Sequence, residues 1–238
     1  AFDDYERQPL LPAKLSQLGP GHAWGDIDSD GDDDIFLGGS KGAAGRLYVR
    51  NADGFAISNS AVFDKDSASE DMAPVFFDAD GDGDLDLYVV SGGVECEPGD
   101  AALQDRLYVN DGIGNYRRRR DALPEAKHSG SVVCAADYDH DDDIDLFVGG
   151  RVIPGRYPET PSSQLLENDG KGTFTAAAPS ALRETGLVTS ALWSDVNGDG
   201  WVDLLVTHEW GPVTLWVNTR GVLGQAIPIS ESGWWNSI

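Results

Sequence analysis

Four aspartate-rich loops in this 238-residue chain combine the residue types and the spacing of a calcium site. In each loop, acidic or amide side chains stand at positions 1, 3, 5 and 9, and an apolar run follows directly. Oxygen ligands spaced in this way form a cage for a hard cation of the size of calcium. Without a counter-ion, carboxylates packed so closely would repel one another strongly.

We predict one Ca²⁺ ion in each loop, about four in the chain, bound by the four side chains and by the backbone carbonyl at position 7. In order of loop and position (1, 3, 5, 7, 9), the predicted ligands are Asp26, Asp28, Asp30, Asp32 and Asp34; Asp78, Asp80, Asp82, Asp84 and Asp86; Asp137, Asp139, Asp141, Asp143 and Asp145; and Asp195, Asn197, Asp199, Trp201 and Asp203. An EF-hand needs a glutamate at position 12 and flanking helices. Here position 12 lies in a β-branched or aromatic run, which predicts strands on both sides of each loop.

The loops recur roughly every 55 residues, a period typical of repeated units such as four-stranded propeller blades. A second motif follows each loop: RLYVRNADGF at 46–55, RLYVNDGIGNY at 106–116, QLLENDGKGTF at 164–174 and TLWVNTRGVL at 214–223. Each motif has the pattern of a strand, a tight turn and a strand. We therefore predict an all-β fold, a β-propeller built of four-stranded antiparallel blades.

These loops and hairpins resemble the FG-GAP/VCBS repeat family, found in integrin α-subunits and in cartilage acidic protein and its ASPIC/UnbV-type bacterial relatives. The resemblance covers nearly the whole chain. It implies a calcium-loaded propeller that is secreted, periplasmic or displayed on a cell surface and acts in adhesion or recognition. Two positions depart from the family pattern. Asp142 replaces a turn glycine, although aspartate tolerates positive φ, and Asn197 replaces an aspartate, which keeps an oxygen ligand at lower affinity.

The repeats define the expected domain organisation: a single propeller region over 1–238. Its units are expected at about 19–72, 73–129, 130–187 and 188–230, with 231–238 as the start of a fifth. We expect a segment of a longer propeller, within a larger multidomain chain or complex. The alternative is a closed four-bladed ring, since an open propeller leaves sheet edges unpaired.

The acidic composition restricts the partners. With 17 basic and 41 acidic residues the net charge is −24, which repels nucleic acid and anionic lipid. No stretch approaches the ~20 apolar residues that a membrane-spanning helix needs. We expect an extracellular protein or glycan as partner, no nucleic acid and no transmembrane segment.

Three functions are compatible with this pattern. The first is a calcium-stabilised binding or adhesion module, and the second is a purely structural segment or an extrinsic subunit of a large assembly. The third, a propeller-type hydrolase or lyase, is disfavoured because the sequence shows no nucleophile elbow, zinc-type histidine spacing or phosphate loop. We expect no enzyme and no catalytic residues, and we favour the binding module.

The variable segments between the second and third strands are the expected binding surface. They lie on the rim opposite the four aspartate-rich loops, which we call the metal loops. These segments are expected at about 38–45, 91–105, 149–163 and 208–212. We predict Arg151, Arg156 and Tyr157 as partner-binding residues, since Arg and Tyr are enriched at binding hot spots. The alternative is that these loops pack on each other.

Three further features allow two interpretations each. The tryptophans of the second half are expected between blades, with an exposed stacking platform for sugar rings as the alternative. The run Arg117–Arg120 indicates protection of an edge strand, with a docking patch for an acidic partner or polysaccharide as the alternative. Cys96 and Cys134 are expected as separate thiols, with a disulfide as the alternative.

Overall fold

Four antiparallel β-sheets follow one another along the chain in the computed structural model, which describes residues 2–58, 61–177 and 180–238. The strands are β1 (His22–Gly25), β2 (Asp34–Leu37), β3 (Arg46–Asn51) and β4 (Gly54–Ile57); β5 (Glu70–Phe77), β6 (Asp86–Gly92), β7 (Arg106–Val109) and β8 (Arg117–Arg118); β9 (Ser129–Ala136), β10 (Asp145–Val152), β11 (Gln164–Asn168) and β12 (Phe174–Ala176); and β13 (Leu187–Ser194), β14 (Asp203–Gly211), β15 (Thr214–Asn218), β16 (Leu223–Pro228) and β17 (Gly233–Trp234). Short helices α1 (Asp4–Arg7), α2 (Ala61–Asp64) and α3 (Ser180–Arg183) and 3₁₀ turns at Leu15–Gln17 and Ala101–Leu103 complete the elements.

Each sheet takes its first four strands in chain order, so that neighbouring strands are joined by direct antiparallel connections. The prediction of four-stranded antiparallel units is confirmed. The fourth sheet has one strand more, because β17 pairs with β14. A two-residue strand carries no alternation that the sequence could reveal.

The sheets pack face to face in series. The second strands β6 and β10 are buried along their whole length, because a neighbouring sheet covers each face. Apolar clusters fill the spaces between consecutive sheets; representative pairs are Phe36 with Tyr108, Tyr88 with Leu146, and Phe147 with Leu204. The first strands β1, β5, β9 and β13 are neighbours in the same order.

The variable segments begin later than the sequence predicts. Residues 91–92, 149–152 and 208–211, predicted as loop, are the ends of β6, β10 and β14. The strands continue because their partners β5, β9 and β13 each carry a β-bulge that resumes the pairing beyond it. Glycine pairs such as Gly149–Gly150 look like turns in sequence, but here they give neighbouring side chains room inside a sheet.

An asparagine at the end of the third strand ties each later sheet to the sheet before it. The Nδ2 group of each asparagine donates to a backbone carbonyl: Asn110 to Ile27 (2.7 Å), Asn168 to Ala79 (2.9 Å) and Asn218 to Tyr138 (2.7 Å). All three asparagines are buried, and each acceptor is the second residue of a metal loop. In the first sheet the corresponding residue is Arg50, which is exposed.

Two expectations about the chain's context can be compared with the structure. Cys96 and Cys134 are separate free thiols. In the described ranges, none of the helices has the length and apolar character that a bilayer crossing requires.

The asparagine bridges give a first prediction. Replacing Asn168 with alanine should lower the free energy of unfolding by about 2–3 kcal/mol, because the buried carbonyl of Ala79 then loses its donor. Urea denaturation measures this loss. Arg50→Ala is the matched control, since its exposed side chain should contribute at most about 0.5 kcal/mol. Equal losses in the two variants would show that the bridge to the neighbouring sheet contributes nothing.

Candidate metal centres

The four metal loops connect the first and second strands of their sheets and all have the same local structure. In three of them, carboxylate oxygens of three or four of the predicted ligands lie within 4.8 Å of one another. The groups are Asp26, Asp28 and Asp34; Asp78, Asp80 and Asp86; and Asp137, Asp139, Asp141 and Asp145. The structure thus brings together acidic side chains that stand up to eight residues apart in the chain.

Backbone N–H groups fix the aspartate at position 1. Asp78 accepts hydrogen bonds from the N–H groups of Gly81 (2.8 Å) and Gly83 (2.9 Å). The equivalent Asp26 accepts from Asp30 (3.1 Å) and Gly31 (3.0 Å). These bonds wrap the loop around its first carboxylate and determine the direction in which the other side chains point.

The aspartate at position 9 is the first residue of the second strand and is buried in all four loops. In the second loop, Asp86 accepts from the N–H groups of Ala79 (3.1 Å) and Asn110 (2.8 Å). Asp34 and Asp203 bind the equivalent groups of their own sheets. This carboxylate therefore joins the metal loop to the end of the third strand.

Several buried carboxylate oxygens in the cages have no hydrogen-bond partner among the described residues. They are Oδ1 of Asp28, Asp80, Asp139 and Asp143, and Oδ2 of Asp145. Three of them belong to position 3, the same place in three separate loops. A buried acceptor without a donor is costly, and a hard cation is the partner that oxygen clusters of this kind bind. The residues present therefore fit calcium.

Burial and mutual repulsion perturb the protonation of these groups. Burial is the main cause that raises the pKa of Asp86 and of Asp145 to about 7. Burial, followed by neighbouring cage carboxylates, also raises the pKa of Asp28, Asp80 and Asp139 above its usual value. Each shift means that a negative charge in the cage is unfavourable until a positive charge joins it.

The loops close through left-handed residues at positions 4 and 6. Those at position 6 are Gly31 (φ 92°), Gly83 (90°), Asp142 (72°) and Gly200 (89°), and those at position 4 are Ser29 (60°), Gly81 (77°), His140 (60°) and Gly198 (76°). Asp142 thus adopts the positive φ expected of it. The requirement at position 4 could not be seen in the sequence, because serine and histidine occupy it in two of the loops.

The fourth loop differs in its ligand set. Asp195 accepts from the N–H groups of Gly198 (2.7 Å) and Gly200 (2.8 Å), as Asp78 does from the equivalent glycines of the second loop. These hydrogen bonds, that from Gly200 above all, hold its pKa below the usual value. Asn197 supplies an amide oxygen at position 3, which makes this the least negative of the four cages.

The position-7 residues take part in each loop through their backbone. The N–H groups donate to the position-5 carboxylates: Asp32 to Asp30 (3.0 Å), Asp84 to Asp82 (3.0 Å), Asp143 to Asp141 (3.3 Å) and Trp201 to Asp199 (2.9 Å). The role of their carbonyls as ligands stays a prediction. The Trp201 ring stacks on His140 of the neighbouring loop, with centroids 3.9 Å apart.

The three predicted partner-binding residues occupy different environments. Arg151 is buried, and its Nη2 lies 2.7 Å from Oε2 of Glu209 in the fourth sheet. The hydroxyl of Tyr157 donates to Oε1 of the same glutamate at 2.6 Å. Arg156 is exposed and lies 3.7 Å from Glu159. Two of the three side chains therefore connect the third sheet to the fourth, which sequence reasoning missed because Glu209 is about 50 residues away.

The N-terminal segment packs against the variable segments of the second and third sheets. Leu11 and Leu15 form an apolar cluster with Val94 and Val152. Arg7 forms an ion pair with Glu97 at 2.8 Å and donates to the carbonyl of Val94 at 3.1 Å. Part of the rim opposite the cages is therefore covered by the chain itself, and no motif in the first 20 residues indicated this.

The arginine run lies at the outer edge of the second sheet. Arg118 forms an ion pair with Asp66, and Arg119 donates to the carbonyl of Lys171 in the third sheet. Half of the run therefore contributes to packing between elements.

Comparison with known proteins supports the resemblance seen in the loops. Residues 26–89 and 158–206 match the family described as FG-GAP-like repeat. These two regions are therefore similar to FG-GAP-like repeats. The third metal loop lies between the matched regions and, like the first two loops, brings aspartate side chains together.

Comparisons with curated proteins and with solved structures add two findings. No curated protein matches the chain in sequence. Among solved structures, the Vibrio cholerae biofilm matrix protein Bap1 is similar over 85% of this chain, with 18% identity and a TM-score of 0.34. The chain spans 29% of the length of that protein.

The raised pKa values give a second prediction: the dependence of stability on pH should reverse its sign when calcium is removed. A raised folded-state pKa means that the folded protein binds protons more tightly than the unfolded chain. Stability of the chelated protein should therefore rise as the pH falls from 8 through about 7, where Asp86 and Asp145 begin to protonate. With calcium bound, protons compete with the ion, so the same change should lower stability.

Urea denaturation at pH 8 and pH 6, with calcium and with chelator, tests this reversal. Asp145→Asn should flatten the pH dependence of the stability of the chelated protein, because one carboxyl group with a raised pKa is removed. If the free energy of unfolding changed with pH in the same direction with calcium and with chelator, the assignment of these carboxylates to a cation site would be contradicted.

Proposed function

We propose that the four sheets are blades of a calcium-stabilised β-propeller, and that the chain acts outside the cell as an adhesion or recognition module. The observation that carries the proposal is the repeated cage, with a position-3 oxygen that lacks a donor in three loops. The serial packing of β1, β5, β9 and β13 supports the propeller, since blades meet at their first strands. The FG-GAP-like repeats support the extracellular role.

The cages also bear on the compartment. Calcium sites of extracellular modules bind at about 10⁻⁴–10⁻³ M, which is useful only where calcium is millimolar. The loops present here expose much of their carboxylate surface and are formed by one short segment each. We therefore place the protein in the secreted, cell-surface or periplasmic space.

The role of calcium in this proposal is to hold each hairpin, and a partner binds elsewhere. The metal rim repeats the same chemistry four times and offers little discrimination between partners. The opposite rim differs from sheet to sheet and has the exposed Arg156. We propose this rim as the docking side for a protein or glycan, and we propose no catalytic role.

A structural role in a larger assembly is the second candidate. It is favoured by the N-terminal segment, which packs over Val94 and Val152 and so occupies part of the rim where a partner would dock. The two candidates differ in whether the calcium-loaded protein binds an extracellular ligand at all.

Calorimetric titration with calcium gives the third prediction and tests the metal-dependent part of the proposal. We expect about four sites, each stabilising the fold by roughly 0.4–1.4 kcal/mol at millimolar calcium. Asp28→Ala should remove one site, because position 3 then offers the ion no oxygen ligand. Asp33→Ala is the matched control: it removes one carboxylate from an exposed, non-ligand position of the same loop and should keep all sites.

Magnesium provides a second control, since it demands a smaller octahedral site and should stabilise the protein less. A melting temperature unaffected by chelator, or equal calcium binding by the two variants, would contradict the proposal.

A further inference from the structure

A cleft of about 600 Å³ lies beside the end of β14, on the rim opposite the metal loops. Its lining includes Pro158 of the third sheet's variable segment, Leu187 at the start of β13, and His208 and Trp210 of β14. The volume falls in the range of pockets that bind small organic ligands. The equivalent ends of the other sheets have no exposed tryptophan among the described residues.

Trp210 forms one wall of this cleft in an unusual backbone conformation. Its φ is 66°, at the register shift where β14 pairs with β17. Bulky residues rarely adopt positive φ, and such positions cluster at functional sites. The bulge turns the indole outward: the residue is 60% exposed, and its ring makes an edge-to-face contact with Trp234 at 5.0 Å.

A chain of polar contacts fixes the orientation of this indole. Nε1 of Trp210 donates to the hydroxyl of Tyr157 at 2.5 Å, and that hydroxyl donates to Glu209. Glu209 is buried and forms an ion pair with Arg151. The exposed ring is therefore held in place through Tyr157 of the third sheet's variable segment, which is fixed in turn by the buried pair of Glu209 and Arg151, and this preorganises an aromatic platform.

His208 lines the same cleft and has a buried ring nitrogen without a hydrogen-bond partner among the described residues. Its Nδ1 lies 2.8 Å from the carbonyl oxygen of Pro212, so Nδ1 carries the proton. Burial lowers the pKa of the imidazole and keeps it neutral. Nε2 is then an acceptor, and within the described residues it has no partner although the residue is only 3% exposed. Gly186, with φ 112°, leaves room for this ring; a side chain there would come within 3.2 Å of it.

We propose that this cleft binds a neutral pyranose ring of a glycan. A sugar ring offers a flat face of C–H groups for the exposed indole and hydroxyl donors for Nε2 of His208. The charge of Arg151 is already balanced by Glu209, and the chain carries a net charge of −24, so an acidic sugar gains nothing here. This inference rests on the proposed role in extracellular recognition and names the ligand class for it.

The test is titration of the calcium-loaded full chain with neutral trisaccharides of glucose, mannose or galactose, and with trigalacturonate as the charged probe. We expect saturable binding of at least one neutral trisaccharide, and weaker or no binding of trigalacturonate. Binding of the charged probe alone, or of none of the four, would overturn the proposal.

Two tryptophan variants test whether the sugar binds in this cleft. Trp210→Gly should weaken binding by about tenfold or more while the fold is kept, because glycine suits the positive φ and the substitution removes the exposed indole with its contacts to Tyr157 and Trp234. Trp24→Ala is the matched control: Trp24 is also exposed and also makes an edge-to-face contact, with Phe55, but it lies on the first sheet. Binding that survives Trp210→Gly or is lost in Trp24→Ala would overturn the assignment.

His208 tests the acceptor. Gln at this position keeps an acceptor oxygen and Leu does not, so His208→Leu should bind more weakly than His208→Gln. Equal affinities would contradict the role of Nε2. Melting temperature and calcium stoichiometry are measured on every variant. If calcium stabilises the protein but no sugar binds, only this inference fails; if calcium has no effect, the proposed function fails regardless of the sugar result.

Discussion

The buried carboxylate at position 9 of each metal loop is the interaction on which the rest of the structure depends. It is the last predicted ligand of the cage and the first residue of the second strand, and it also accepts the backbone N–H at the end of the third strand. In three sheets that N–H belongs to the asparagine whose side chain reaches the previous sheet. A charge placed in the cage therefore acts on strand pairing and on sheet packing through one side chain.

On the opposite rim, strands and sheets are joined by buried ion pairs instead of by metal loops. Asp71 pairs with Arg106 of another strand, and Arg151 pairs with Glu209 of another sheet. Asp71 also accepts the N–H of Gly39 in the first sheet at 2.7 Å. Removing one partner of a buried pair leaves an uncompensated charge and is strongly destabilising. The rim with the metal loops repeats one chemistry, whereas the opposite rim differs from sheet to sheet, which is why we propose a specific ligand site on the latter.

Much of the fold and the clustering of acidic side chains in the loops could be predicted from sequence, because both depend on short-range patterns. Ligands at alternate positions, such as Asp78, Asp80 and Asp82, and the strand that follows them lie within about ten residues. The environments of Arg151 and Tyr157 could not be predicted, since they depend on Glu209 in another sheet. The bulge at Trp210 was equally hidden, because β17 is too short to be recognised and its pairing creates the irregularity.

Hydrogen exchange of backbone amides, compared with and without calcium, tests the central claim most directly. If the position-9 carboxylates transmit the effect of the metal, chelation should accelerate exchange at the third-strand amides of Asn110 and Asn168 as well as in the loops. The amide of Gln104, bonded to Ala101 on the opposite rim, should exchange at an unchanged rate. Faster exchange confined to the loops, with Asn110 and Asn168 unaffected, would contradict the account.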